Sequence, residues 1–120
     1  MMLLKRLSVG MLTFLLFVGS ELQAAITMTT PANNLLSPAL FRVASGACPA
    51  YTTVALNVNH KPIGGTLGLV GSRTQSSSPN GTYNITINEQ VWTDSGAYFY
   101  KASYGGPGGT TSVINTCSIP

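Results

Sequence analysis

Residues 81–103 read GTYNITINEQVWTDSGAYFYKAS, and two runs inside this stretch decide the fold class. Tyr83, Ile85 and Ile87 alternate with Asn84, Thr86 and Asn88, and Tyr98, Tyr100 and Ala102 alternate with Phe99, Lys101 and Ser103. Apolar side chains at every second position turn one face of an extended chain to a core and the other to water, the period of a half-buried β-strand. Between the runs, Asp94-Ser95-Gly96 supplies the residue types that reverse a chain.

The same period extends outward in both directions. Val54 to Asn59 alternates and is ended by His60-Lys61-Pro62, and Leu67 and Leu69 make a short candidate between Gly64-Gly65 and Gly71. Upstream, Ile26-Thr27-Met28 precedes the turn Pro31-Ala32-Asn33-Asn34, and Leu40 to Ser45 alternates before Gly46 to Pro49 breaks the run. Downstream of the glycine-rich stretch Gly105–Gly109, Thr111 to Ile119 closes the chain, while Thr74 to Gly81 reads as a polar connection. No stretch from Ala25 onward carries the 3.6-residue spacing of a helix. An all-β domain of about seven short strands is expected, with two antiparallel sheets packed face to face, and a small closed barrel is the competing architecture.

The first residues follow a different rule. Lys5 and Arg6 precede LSVGMLTFLLFV, Leu7 to Val18, and the residues from Ser20 to Ala24 turn polar and small. A basic start, a short apolar stretch and a small-residue break describe a secretory signal peptide, here expected as a helix over residues 1–24, with one domain over 25–120. The apolar run falls short of the roughly 20 residues that span a bilayer, so no membrane span is expected after cleavage. Past that leader the charges are Arg42, Lys61, Arg73 and Lys101 against Glu89 and Asp94. The basic residues are scattered, which argues against a phosphate-tracking surface and against nucleic acid as a partner. A surface of Ser, Thr, Asn and Gly suits an exported, extracytoplasmic protein, secreted, periplasmic or on the cell surface.

Two further stretches carry a resemblance. ITMTTPANNLLSPALFRVA (Ile26–Ala44) and VALNVNHKPIG (Val54–Gly64) resemble the bacterial immunoglobulin-like (Ig-like) domain family of secreted and surface proteins. That family opens with a strand, a Ser/Thr-Pro-Ala-Asn turn and a second strand, then runs an alternating strand into a V-N-G-x-x-I-G corner. Here His60 stands where the family usually has Gly. The residues GTYNITINEQVWTDSGAYFYKAS and TTSVINTCSI are similar to its later strands. In addition, Asp94-Ser95-Gly96-Ala97-Tyr98 is similar to the D-S-G-x-Y turn of animal immunoglobulin domains, in which the tyrosine hydroxyl caps backbone groups at a sandwich corner. The cysteine that follows there is Tyr100 here, and the matching strand tryptophan is absent, with Leu56 nearest its place. The resemblance implies a two-sheet antiparallel immunoglobulin-like sandwich.

Little in the sequence suggests catalysis. The carboxylates beyond the leader are Glu89 and Asp94 and the imidazole is His60, with no G-x-S-x-G elbow. No His, Cys or Asp cluster has metal-ligand spacing, and Gly105–Gly109 lacks the helix and the Lys-Ser/Thr pair of a phosphate cradle. No catalytic residue, metal or cofactor is therefore expected, and the protein is read as a non-enzyme. His60 beside Lys61 is expected as a solvated or backbone-bonding turn residue. Trp92 is expected as a partly buried corner residue.

Cys48 and Cys117 form a candidate disulfide, because an exported chain with an even cysteine count enters an oxidising space. Closing that segment would contribute roughly 3–4.5 kcal/mol in the loop-entropy model. In the simple strand order the two cysteines lie at opposite ends of a sandwich. In the alternative order, Phe41 to Cys48 is the second half of the first strand, runs parallel to the last strand and brings Cys48 beside Cys117.

Three functions follow as expectations. The first is a binding or adhesion module that engages a protein or glycan ligand at a cell surface through its loops, with Tyr51 and Tyr104 sharing one end of the sandwich as contact residues. The second is a structural spacer or one subunit of a surface assembly, self-associated through exposed strand edges. The third is a secreted eukaryotic immunoglobulin-type ligand or receptor fragment, since Asn80-Gly81-Thr82 and Asn84-Ile85-Thr86 are glycan acceptor sequons.

Overall fold

A computed structural model describes residues 25–106 and 109–120, so the expected signal peptide over 1–24 lies outside the described residues. The strands are β1 Leu40–Ala47, β2 Thr53–Pro62, β3 Gly68–Ser76, β4 Thr82–Trp92, β5 Gly96–Gly106 and β6 Gly109–Ile119. They form two antiparallel sheets, one pairing β1 with β4 and the other ordered β3-β2-β5-β6. The described residues include no helix long and apolar enough to cross a membrane.

The alternation places the core as expected. Val54, Leu56 and Val58 of β2, Tyr98, Tyr100 and Ala102 of β5, and Tyr83 and Ile85 of β4 all point between the sheets and are buried. Full burial of one such aliphatic side chain contributes about 1.5–3 kcal/mol. In β1 the inward parity is that of Leu40, Arg42 and Ala44, and Phe41, on the opposite parity, faces water beside a register shift between Phe41 and Val43.

The first thirteen described residues do something a period-2 pattern cannot announce. Residues 26–30 lie along β1: the Thr27 amide donates to the Ala47 carbonyl (2.9 Å), the Thr29 amide to the Ser45 carbonyl (2.8 Å) and the Ser45 amide to the Thr30 carbonyl (2.9 Å). After a cis Thr30–Pro31 peptide the chain crosses to the other sheet, where Leu36 bridges Ser118 of β6 in parallel. There the Asn34 amide donates to the Thr116 carbonyl (2.7 Å) and the Ser118 amide to the Leu35 carbonyl (2.9 Å). Asn115, buried on β6, holds the crossing with its side-chain amide, which donates to the carbonyls of Met28 (3.1 Å) and Pro31 (2.8 Å).

Two sequence expectations are corrected. The stretch that runs parallel to the last strand is the one around Leu36, whereas Phe41 to Ala47 pairs antiparallel with β4, from Leu40↔Trp92 to Ala47↔Thr82. The alternative order therefore fails and the simple one holds. The polar run from Thr74 is also partly strand, since β3 extends to Ser76. As an edge strand exposed along nearly its whole length, β3 needs no apolar face to be held; backbone bonds to β2 suffice.

Buried tyrosine hydroxyls stitch loops to strands. Tyr83 Oη donates to the Thr27 carbonyl (2.6 Å), Tyr98 Oη to the Asp94 carbonyl (2.8 Å) and Tyr100 Oη to the Phe41 carbonyl (2.7 Å). A phenol that donates to a carbonyl away from water must keep its proton. Burial accordingly pushes Tyr83 up to about 12, with the nearby Cys48 thiol adding to the effect, and raises Tyr100 and Tyr98 as well.

A folded-state pKa above the unfolded one contributes stability that is complete below the unfolded value near pH 10 and is lost as pH rises through the folded value. Alkaline unfolding, followed by tyrosinate absorbance against circular dichroism, is therefore expected to set in above about pH 10 and to run toward about pH 12, with the absorbance of the buried tyrosines changing together with the ellipticity. Separately, a Cβ on Gly46 would lie 2.0 Å from the Thr27 carbonyl oxygen and 2.9 Å from the Tyr83 hydroxyl. Gly46→Ala is expected to destabilise by about 2 kcal/mol or more, read as a lower denaturant midpoint at unchanged slope.

Candidate functional site

The sandwich presents two different ends. At one, β1 runs into β2 through Cys48–Thr52, and β3 runs into β4 through residues 77–81. These connections are tied to each other. The Thr52 amide donates to Ser77 Oγ (3.0 Å), and the Thr52 and Ser77 hydroxyls each donate to the Pro49 carbonyl (2.9 Å). The Ser77 amide donates back to the Thr52 carbonyl (2.8 Å), and the Cys48 amide to the Gly81 carbonyl (3.0 Å).

Tyr51 stands on this double loop with φ 59 and is 80% exposed. A left-handed backbone is uncommon for a residue with a Cβ and costs of order 1–3 kcal/mol, so it persists only where its surroundings impose it. Here the bonds on either side, at Pro49 and Thr52, impose it. The outcome is a phenol ring thrust into solvent from a backbone that cannot easily relax.

Tyr104 shares that end, as expected, since it pairs with Val54 at the start of β2. Its expected role is corrected, however. Tyr104 lies on the inward parity of β5 with Tyr98, Tyr100 and Ala102, and is buried at 4% exposure. It supports the end from within and cannot present its ring to a ligand.

The opposite end is built on the corner between β4 and β5. Tyr98 bonds back to Asp94, and Gly96 has φ +132 with no room for a Cβ, which would meet the Lys61 carbonyl oxygen at 2.3 Å. His60 sits in strand β2, across from Tyr98, and is buried. Its ring stacks on Tyr98 (centroids 4.1 Å, 13° apart) and its Nε2 lies 3.0 Å from the Ser95 carbonyl oxygen. The backbone bond was expected; the solvated turn position was not observed. A bare glycine backbone leaves the space that the imidazole fills.

Trp92 continues the stack, 5.5 Å from Tyr98 and edge-on to Tyr100 at 5.8 Å. Arg42 lies over its indole at 5.0 Å and donates through Nη2 to the Val91 carbonyl (3.1 Å). Its buried Nε has no partner among the described residues. Arg42 and His60 both occupy inward strand parity, which is the signal in the sequence that they would be packed. A shallow groove bordered by Lys61, Ile63, Gly96 and Pro120 runs beside this corner.

Cys48 and Cys117 are separate, buried thiols, so the expected bridge is not made. The reason is position. Cys48 follows the Ala47↔Thr82 pair at the Tyr51 end, whereas Cys117 faces Tyr98 at the other. From Tyr104 to Tyr98 the strand rises about 20 Å, far beyond the roughly 7 Å that a disulfide tolerates. Cys117 instead directs its thiol to the Ala32 carbonyl (3.5 Å), and burial raises its pKa. Among the described residues no three of His, Cys, Asp and Glu come together.

Comparison with known proteins returned no match to a family model, a curated protein or a solved structure. The chain is an all-β protein whose two antiparallel sheets pack as a sandwich.

Alkylation of the denatured protein without reductant, followed by intact mass, is expected to add a group at both Cys48 and Cys117. In native buffer both are expected to react slowly, because each is buried.

Proposed function

We propose that this chain is an exported, non-catalytic Ig-like module that binds a protein or glycan ligand at a cell surface through the end of the sandwich carrying Tyr51. The observation that carries this reading is the exposed Tyr51 ring at φ 59 on a loop fastened through Pro49, Thr52 and Ser77. A rigid aromatic offers contact area at small entropic cost, and strain of this kind gathers at functional positions. At the same end stand the hydroxyls and amides of Thr52, Ser78, Asn80 and Thr82, with the carboxylates Glu89 and Asp94 toward the other end. Such a surface suits a neutral, hydrogen-bonding ligand.

The Ig-like assignment is supported by the antiparallel sandwich, by a first segment that crosses from one sheet to the other, and by the Tyr98 hydroxyl capping Asp94 at the β4–β5 corner. The resemblance of Ile26–Ala44 and Val54–Gly64 to bacterial Ig-like domains favours that branch. Export is supported by the leader-like composition of Lys5 to Ala24.

A second reading, a subunit joined edge to edge, is favoured by a specific asymmetry. Residues 26–30 cover the outer edge of β1 and residues 34–37 that of β6, yet among the described residues no backbone hydrogen bond joins the outer edge of β3 to β4, toward which only the Arg73 side chain is seen to reach, at the Thr86 carbonyl. Its strand carries Leu69 and Val70 exposed, although a register shift opposite Val58 and Asn59 interrupts that edge.

Binding of purified protein to arrayed glycans and to cell-surface protein extracts separates these readings. Tyr51→Ala is expected to weaken capture of any ligand found by an amount typical of a central aromatic contact, about 2 kcal/mol or roughly thirtyfold. Ile63→Ala, at the opposite end, is expected to leave it unchanged. Unaltered capture by the Tyr51 variant would overturn the placement, and concentration-dependent mass in solution would favour edge pairing.

A further inference from the structure

The turn that follows β3 holds a chemical pairing that the binding reading does not use. Asn80 precedes Gly81, and every other asparagine in the chain precedes Asn, Leu, Val, His, Ile, Glu or Thr. A glycine leaves the following backbone nitrogen sterically free to reach the asparagine side chain. Gly81 has φ +81, and its amide makes only a long bond of 3.2 Å to the Ser78 carbonyl. The Asn80 carboxamide is meanwhile held in a particular state: Oδ1 accepts hydrogen bonds from the Ser78 hydroxyl and from the Thr82 hydroxyl (3.0 Å for the latter). The two hydroxyls lie 2.7 Å apart, and each proton they direct to that carbonyl oxygen polarises it and is placed to hold the negative charge that develops when a nucleophile adds at Cγ.

We propose that Asn80 is a self-modification site, converting spontaneously to aspartate and isoaspartate. The Gly81 nitrogen, giving its proton to solvent, bonds to Asn80 Cγ. The charge moves onto Oδ1, where the Ser78 and Thr82 hydroxyls receive it. As the carbonyl re-forms, the bond from Cγ to the side-chain nitrogen breaks and ammonia leaves with a proton from solvent. The cyclic imide is then opened by water at either carbonyl, which gives aspartate by one route and an isoaspartyl backbone by the other. One water is consumed and one ammonia released, with no change in oxidation state.

The product matters because of where it forms. Of the carboxylates past the leader, Asp94 lies at the far corner and Glu89 three residues before Trp92 on β4. Conversion therefore places a carboxylate at an end built from neutral groups. The Gly81 carbonyl accepts from the Cys48 amide, so an isoaspartyl linkage would also pull on the loop that carries Tyr51. An effect on ligand capture rests on the binding reading above; the chemistry at Asn80 does not.

The test is peptide mapping by mass spectrometry of the purified folded protein during incubation at mildly alkaline pH. The mass gain of an NH2-to-OH exchange is expected on the Asn80 peptide sooner than on any peptide carrying another asparagine, with part of the product accepted by an isoaspartyl methyltransferase. A Ser78→Ala, Thr82→Ala double variant is expected to convert severalfold more slowly, and Thr82→Ser, which keeps its hydroxyl, at the parental rate. Conversion led by a different asparagine would overturn the site. Conversion of the double variant at an equal or greater rate would overturn the role of the two hydroxyls. The first comparison needs no variant, so a double variant that failed to fold would leave the site decided by the parental protein, and the role of Thr82 would rest on Thr82→Val set against Thr82→Ser.

Discussion

Asn115 donates to the carbonyls of Met28 and Pro31, and in doing so holds the place where the chain leaves one sheet and joins the other. Those two carbonyls would otherwise point into the sandwich without a partner, and each such group costs about 1–3 kcal/mol when buried unbonded. With them satisfied, a single short segment covers the outer edges of both β1 and β6. Two open sheets thereby become one closed flank, and their remaining free edges, those of β3 and β4, lie together on the other side, where the Arg73 guanidinium spans them to the Thr86 carbonyl (2.7 Å).

The interior follows the same rule of polar satisfaction with different groups. Large phenol rings fill the space between sheets, and each needs an acceptor for its hydroxyl. Tyr83 finds Thr27, Tyr98 finds Asp94 and Tyr100 finds Phe41, so every one of these bonds ties an irregular segment or a strand end to the core. Gly46 is the counterpart: its missing side chain is what lets the Thr27 carbonyl approach closely enough to meet Tyr83. Packing and hydrogen bonding are therefore not separable here.

The two ends differ in kind for a physical reason. At the Asp94–Tyr98 corner, aromatic faces, an imidazole and a guanidinium are stacked and turned inward, so little of their chemistry is offered to solvent. At the other end, hydroxyls close the loops on themselves and leave Tyr51 outside. An exposed ring on a loop fastened by hydrogen bonds is what the proposed contact surface rests on.

The strands and their inward faces were legible from sequence because a period of two is a local property: Val54, Leu56, Val58, Tyr98 and Tyr100 declare their burial by position alone. The corner tyrosine was legible too, through Asp94-Ser95-Gly96-Ala97-Tyr98. Partners were not. That Phe41 to Ala47 runs antiparallel to β4, that Leu36 and not Cys48 lies beside the last strand, and that Cys48 and Cys117 stand a strand's length apart are pairings between residues distant in the chain. Many registers satisfy the same alternation, and only simultaneous packing of both sheets chooses among them. Tyr104 shows the limit at one residue: as sequence it belongs beside a glycine-rich loop, and its burial was decided by how far β5 and β6 stay paired. Period, turn chemistry and surface polarity are local properties of the chain, whereas the closed flank, the separated thiols and the exposed Tyr51 arose only when distant segments competed for the same hydrogen-bonding edges.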